Sequence, residues 1–549
     1  MIKKIIFSLF IVWYLPCANT TFAYTHADTL RGSNGRGRDW WDVTRYDLQI
    51  SFDTAGKSIA GTNQVTFTII KTPHDSMQID LQEPMVLDSI ILLGSPGQPN
   101  DIRLPFVREG NVWWVKHPFH KMQVGDSRSL MAYYHGRPRE AVHPPWDGGF
   151  SWDHDSTGKL WVAVSCQGLG ASVWWPCKDA QWDEPDSGMV TRFFVPGYQA
   201  IGNGRPLNVD SSAKTTGLSG WEVKNPINNY DVTFYIGDYV HWHDTLMGEK
   251  GILDLDFYVL RYNEERARKQ FAVVKDMIHC YEYWLGPYPF YEDGYKLVEA
   301  PYLGMEHQSA IAYGNKFKMG YLGTDRSMTN YGLDFDYIII HESGHEWFGN
   351  SITAKDMADN WIHEGITTYS ESLFAECLLG KEKAQQYSRG GRHNIENEQP
   401  VIANYGVNEE GPGDIYDKGA AIMYMIRVMT NDDEKFRMML RGLSREFYHQ
   451  AVTTKQVEDY ISAHTGLDLK AFFGQYLRRA NIPELEYSIK DNELNYRFND
   501  VVAGFTLPIT VTAGATSATI KPTAEWQHMP WKGGYNLKVS KDFLIKVKQ

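Results

Sequence analysis

His341 and His345 stand four residues apart behind the apolar run Tyr337-Ile338-Ile339-Ile340, and this pairing restricts the middle of the chain more than any other feature. The run suits a buried helix, on which residues four apart share a face, so both imidazoles can point at one metal. Glu342 then sits one residue round, beside them. Two histidines leave a tetrahedral zinc short of protein ligands, because a catalytic site typically has three and keeps the fourth position for water. Glu364, in Trp361-Ile362-His363-Glu364-Gly365-Ile366, follows His345 with 18 residues between them. That interval fits a helix end, a turn through Asn350 to Asn360, and an antiparallel second helix that returns its carboxylate to the metal. With 18 histidines in 549 residues, a chance HExxH arises in a few per cent of such chains, and the fixed Glu lowers this to roughly 0.2%. An amphipathic helix with incidental histidines is therefore a weak alternative.

A chain of 549 residues exceeds what one hydrophobic core usually supports, so two to four domains are expected. Hydrophobic content of 43% with 22% charged residues is ordinary for a folded protein and excludes disorder on a large scale. The formal net charge of -13, with no basic stripe, argues against a nucleic-acid partner.

At the N-terminus, Lys3 and Lys4 precede an apolar run from Ile5 to about Leu15, and Thr21-Phe22-Ala23 offers a small-residue cleavage site. This pattern predicts a signal peptide over 1–23 and export to a periplasmic or extracellular compartment. The run falls short of the ~20 apolar residues that span a bilayer, which favours cleavage over an anchor. Cys17 follows Tyr14-Leu15-Pro16, a poor match to a lipidation site, so the lipoprotein form is the minor alternative. Nothing later in the chain resembles a transmembrane helix. Cys166, Cys177, Cys280 and Cys377 have no zinc-ribbon spacing. Export permits disulfides, and Cys166 with Cys177 is the nearest pair, but free buried thiols fit equally well.

The expected architecture is α+β and multidomain. Residues 24–250 alternate short apolar runs, such as Tyr46 to Phe52 and Val65 to Ile70, with Gly, Pro and Asp clusters, and read as a β-rich domain. Asn229 to Ile236 reads as its last strand, followed by a polar connector. In residues 251–481 a strand over Leu255 to Leu260 precedes a long helical stretch from Glu264 to Leu285, and helical periodicity dominates from Asp334 to Tyr476. Residues 482–549 return to strand-like alternation, forming a small β domain.

Together these motifs resemble the aminopeptidase N and leukotriene hydrolase family of gluzincin metallopeptidases, over most of the chain's length. The resemblance implies a thermolysin-like helical catalytic domain, one zinc ion per chain, and peptide substrates with a free N-terminus. The family's Gly-x-Met-Glu-Asn element has its counterpart in Leu303-Gly304-Met305-Glu306-His307. Leu303 and His307 depart from the pattern. Glu306 occupies the position that holds the substrate's α-ammonium, with Gly304 and Met305 beside it as substrate contacts. Tyr416-Asp417-Lys418-Gly419 matches the family's Tyr-x-Lys-Gly element, which makes Tyr416 the candidate oxyanion donor; a phenol with pKa near ~10 keeps its proton at neutral pH. Gln167, ahead of Trp175-Pro176-Cys177-Lys178-Asp179, resembles the family Gln that lines the first substrate pocket. Asp183-Glu184-Pro185 reads as structural, and Glu371, seven residues after Glu364, as a structural or solvated carboxylate more readily than a partner of a zinc histidine. Only about 65 residues follow Pro483, where many family members carry a long helical domain, so a more open site is expected.

The resulting expectation is a zinc aminopeptidase: His341, His345 and Glu364 as ligands, Glu342 as general base, Tyr416 on the oxyanion, Glu306 on the amine. A thermolysin-type endopeptidase shares the ligands and the base. Epoxide hydrolysis, as in leukotriene hydrolases, and a silent binding module that kept the fold are the remaining readings.

Overall fold

The computed structural model describes residues 24–95, 99–207 and 217–549. The leader read over 1–23 lies outside the described residues. The first 200 described residues build three sheets. The largest has eight strands, centred on the hairpin Trp41–Asp53 and Ser58–Ile69; Trp41–Asp53 runs parallel to Met189–Phe194 on its other side. A four-stranded sheet of Ala200–Gly202, Phe234–Ile236, Leu160–Ser165 and Gly149–His154 and a three-stranded sheet pack with it. Alternate residues of the strands turn inward, so Trp41, Val43, Tyr46, Leu48 and Ile50 meet Trp174, Trp175 and Phe234 in one core.

A five-stranded mixed sheet separates this core from the next. Its order is Tyr239–Gly248, Gly251–Leu260, Tyr295–Glu299, Ile311–Tyr313 and, at the edge, Gly304–Met305. Tyr295–Glu299 is buried along its whole length, as expected of a strand covered on both faces. Leu297, Ile311 and Tyr313 face the helical core, whereas Val298, Ala312 and Met305 face the β core. The sheet thus holds Gly304, Met305 and Glu306 at its edge, between the two halves.

The helices Val273–Leu285, Tyr337–Gly344, Trp361–Leu379, Asp414–Thr430 and Asp433–Glu446 form the second core. The strands after residue 483 make a four-stranded and a three-stranded sheet whose Leu485, Phe498, Phe505 and Trp531 join that same core against Phe472, Phe473 and Tyr476.

Several local expectations need correction. The polar segment after Ile236 is not a connector: Tyr239–Gly248 is a strand paired along its full length with Gly251–Leu260. Its polar residues misled because His241, His243 and Asp256 occupy the outer face, where they pair with one another. The stretch from Asn229 begins as a 3-10 turn capped by Asn228, and only Phe234–Ile236 is strand. The helix over Glu264 to Leu285 is two helices, Glu264–Gln270 and Val273–Leu285, interrupted where the Phe271 ring packs against Tyr313 and Phe317.

Cys166 and Cys177 are free and buried, and the disulfide joins Cys280 to Cys377. It ties the helix Val273–Leu285 to the far end of Trp361–Leu379 across 97 residues of sequence. Closing so long a loop removes much unfolded-chain entropy, and the loss of such a bond costs about 2–4 kcal/mol. Replacing Cys280 and Cys377 together by Ser is expected to lower the denaturation midpoint. A reductant should lower the wild-type midpoint and leave the double variant's unmoved; a wild type indifferent to reductant would contradict the bond.

Candidate active site

The motif helix begins at a buried carboxylate. Asp336 caps it by accepting from the backbone N–H groups of Ile338 and Ile339, and is itself held by Gln270, Tyr313 and Asn315 at 2.7–2.8 Å. All eight residues Tyr337–Gly344 are buried. Three consecutive β-branched residues are poor helix formers, so it is packing that holds this helix. His341 and His345 project from one face, and their Nε2 atoms lie 3.2 Å apart.

The third arm comes from Trp361–Leu379, with Glu364 in its first turn. Glu364 Oε2 stands 3.3 Å from His345 Nε2 and 3.6 Å from His341 Nε2. In a tetrahedral zinc site with ligand bonds of ~2.0–2.2 Å the ligand atoms are about 3.3–3.5 Å apart. The outward nitrogens of both rings are engaged: His341 Nδ1 with Glu371 Oε1 at 2.8 Å, and His345 Nδ1 with the Phe348 carbonyl at 3.0 Å. Those acceptors hold the protons on Nδ1 and turn both Nε2 lone pairs inward. Glu364 Oε2 is buried yet receives no hydrogen bond. Two oriented lone pairs and an orphaned carboxylate oxygen converging on one point are the donor set of a zinc ion.

Glu371 thereby takes the role the sequence favoured least. Its other oxygen accepts from the Tyr387 hydroxyl at 2.7 Å, so the carboxylate is fixed at both ends.

Tyr416 lies in the first turn of Asp414–Thr430, and the approach of this helix to Trp361–Leu379 depends on two glycines. A Cβ on Gly365 would meet the Gly419 Cα at 2.7 Å, and one on Gly419 would meet the Gly365 Cα at 2.6 Å. The two backbones touch there, which brings Glu364 and Tyr416 to one cleft. The Tyr416 ring stacks near His341, with centroids 6.1 Å apart. At Gly304 a Cβ would fall 2.4 Å from Glu342 Oε1, so a larger residue would push that carboxylate from its place.

Glu306 closes one end of the cleft. Gln167 Nε2 donates to Glu306 Oε1 at 2.7 Å and to Glu364 Oε1 at 2.9 Å, and the Tyr230 hydroxyl reaches Glu306 Oε1 at 3.2 Å. The β domain thus supplies two groups that bond Glu306. Met305 and Gly304 line the wall beside it, within a cleft of about 440 Å³. His307 turns away from the cleft and is buried against the Tyr235 hydroxyl at 2.8 Å; burial lowers its pKa to about 3, so it is neutral. Asp183 pairs with Lys178, and Glu184 accepts from Thr353 at 2.7 Å, both structural as expected.

Sequence reasoning missed Glu410, Arg326 and Tyr230. Glu410 lines the cleft six residues before Tyr416 and accepts from Asn360 at 2.9 Å. Its loop carries no periodicity, and only the flanking Gly411-Pro412-Gly413 marked it as a turn.

Burial and crowding set the charges. Burial, with neighbouring Glu306 and Glu364, lifts Glu342 to about 7, and burial beside Glu364 and Glu306 lifts Glu410 to about 7. Glu306 is raised for the same reasons, against the pull of His345. Glu364 is held well below the usual range: burial opposes its charge, but His345 and His341 outweigh it. Burial and the surrounding carboxylates push Tyr416 far above the usual phenol value, so its hydroxyl is a proton donor throughout the neutral range.

Residues 269–476 match the model of the peptidase family M1 domain. Leukotriene A-4 hydrolase of Xenopus laevis is 23% identical over 461 residues, covering 77% of this chain and 68% of that protein. Aminopeptidase N of Lactobacillus helveticus is 21% identical over 477 residues, and there the chain spans about half (51%) of the relative's length. Among solved structures, an M1 zinc metallopeptidase from Deinococcus radiodurans aligns over 81% of this chain and 95% of its own, with a TM-score of 0.65 at 19% identity. A native yeast LTA4 hydrolase aligns over 81% of this chain and 69% of its own, with a TM-score of 0.65 at 16% identity. Residues 269–476 thus carry a peptidase family M1 domain, and the shared α+β fold and the converging His341, His345 and Glu364 make the chain similar to the gluzincin aminopeptidases.

Proposed function

We propose that the chain is a zinc-dependent aminopeptidase that releases the N-terminal residue of peptides. One observation carries the reading: the cleft ends at Glu306, a carboxylate 2% exposed, whose oxygen lies within 4.8 Å of the His345 ring nitrogen. An ammonium paired with Glu306 sets the first peptide carbonyl, and no later one, beside the ligand set. A buried anion recognises a cation strongly, since leaving either unpaired costs its full desolvation.

His341, His345 and Glu364 would hold the zinc ion, which when bound acts as a Lewis acid that acidifies water and polarises the scissile carbonyl. Glu342 takes the proton of the attacking water and passes it to the leaving amine. Its raised proton affinity suits both transfers. Tyr416 donates its hydroxyl proton in a hydrogen bond to the oxygen that gains charge. Gln167 and Tyr230 hold Glu306 in place. The carboxylate-rich lining suits a cationic amine and opposes an anionic lipid, which supports peptides over epoxide substrates.

Glu342→Gln is expected to lower turnover by roughly a hundred- to ten-thousand-fold with one zinc per chain retained; near-normal activity in that variant would remove Glu342 from its role. Comparing a peptide with its N-acetylated form tests the anchor. The free peptide should be cut at least about tenfold faster, and efficient internal cleavage of the blocked one would favour an endopeptidase.

We further read the enzyme as periplasmic or extracellular. The Cys280–Cys377 disulfide supports an oxidising compartment. Sequencing of the secreted protein should find a mature N-terminus at Tyr24; retention in the cytoplasm with Met1 in place would refute it.

A further inference from the structure

The lining of the cleft contains Glu306, Glu342, Glu364, Glu410 and Asp147 and a single Arg or Lys, Arg326. Such a field attracts the amine of a peptide and repels the carboxylate at its other end. Short peptides are zwitterions, so for them the second effect matters.

Arg326 is held for a purpose other than filling space. Its segment is locked by Asp325, which accepts from Ser327 N at 2.8 Å and from Asn330 N at 2.6 Å. The guanidinium lies 5.5 Å from the Tyr321 ring centroid and 5.7 Å from that of Tyr337, and both rings line the cleft. Such cation–π contacts fix the group without using its N–H donors. One Nη2 donates to Asp417 at 3.0 Å; among the described residues Nε and Nη1 have no hydrogen-bond partner, and the side chain is 36% exposed. A guanidinium carries five N–H donors in a planar fork suited to a carboxylate.

A series of contacts along the cleft leads from Glu306 to Arg326. Glu306 neighbours His345. Beyond it comes His341, on which Tyr337 stacks with centroids 5.3 Å apart, and beyond Tyr337 comes Arg326, bonded to the residue that follows Tyr416. A peptide with its ammonium on Glu306 and its first carbonyl at the ligand set runs on toward Arg326.

We infer that Arg326 binds the C-terminal carboxylate of dipeptides and tripeptides, making short free-acid peptides the preferred substrate class. This rests on the aminopeptidase reading above. The sign of the effect separates it from the rest of the cleft, because the surrounding carboxylates alone would favour a peptide amide over the free acid.

The test uses the full-length zinc enzyme on a dipeptide, a tripeptide and a hexapeptide, each as free acid and as C-terminal amide, with an aminoacyl anilide alongside. For the dipeptide or tripeptide the acid should exceed the amide in kcat/KM by roughly ten- to hundred-fold, mainly through KM, and the preference should fade in the hexapeptide. Arg326→Gln should bring the ratio to one or below, whatever the overall rate, and Arg326→Lys should restore part of it. A wild-type ratio of one or less overturns the assignment without any variant, as does a ratio unchanged in Arg326→Gln. Turnover of the anilide with no acid preference sinks the Arg326 assignment alone, whereas no turnover of any of these substrates sinks the aminopeptidase reading.

Discussion

Four carboxylates converge in one buried cleft, and the rest of the structure is arranged around that repulsion. Glu306, Glu342, Glu364 and Glu410 all line it. Burial and mutual proximity raise three of them, while the two imidazoles hold the fourth, Glu364, in its charged form. Unpaired buried charge is costly, so such a cluster persists where cations complete it. A divalent ion at His341, His345 and Glu364 would complete it at one end, and the ammonium proposed for Glu306 at the other. The same crowding raises the proton affinity of Glu342, the group proposed to take and return a proton.

Holding those groups together requires backbones to approach more closely than side chains permit. The Gly365 and Gly419 contact brings two helices together where Glu364 and Tyr416 leave them. Gly304, at the sheet edge, leaves space for the Glu342 carboxylate. The five-stranded sheet, with one face in each core, prevents the edge from drifting, because a shift would open voids on both sides. Gln167 then crosses from the β domain to bond Glu306 and Glu364 together. Glu306 and the metal-ligand set are therefore built as one unit.

What the sequence disclosed was whatever had a period or a fixed spacing. The helical face of His341 and His345, the return of Glu364 and the β-rich flanks were legible because local geometry dictates them. Tyr416 and Glu306 were legible only through resemblance, since an isolated Tyr or Glu has no local signature. Glu410 and Arg326 lie on loops, and loops converge on a site through tertiary contacts that no spacing encodes. Glu371 was seven residues from Glu364 and so on the right face, yet its pairing with His341 depends on how a second helix is rotated. The sequence left Cys166 and Cys177 open between a bond and free buried thiols, which they are, and did not point to Cys280 with Cys377, since 97 residues separate the pair that bonds.

The distribution of satisfied and unsatisfied polar atoms gives the site its direction. Around the cleft nearly every outward-facing atom is engaged: both Nδ1 nitrogens, both Glu371 oxygens, Asp336 and the Glu306 carbonyl, which accepts from Asn350 at 2.8 Å. Among the described residues, Glu364 Oε2 has no hydrogen-bond partner and lies at the metal point, and Arg326, which lines the cleft, keeps Nε and Nη1 unbonded. Buried polar groups left unpaired cost stability, and a fold retains them where a ligand supplies the missing partner. The cleft thus offers an acceptor at the metal point, donors at Arg326 and the Glu306 carboxylate proposed for the amine. A small zwitterionic peptide presents the complementary order, cation first and anion last, which is the order the proposed substrate class requires.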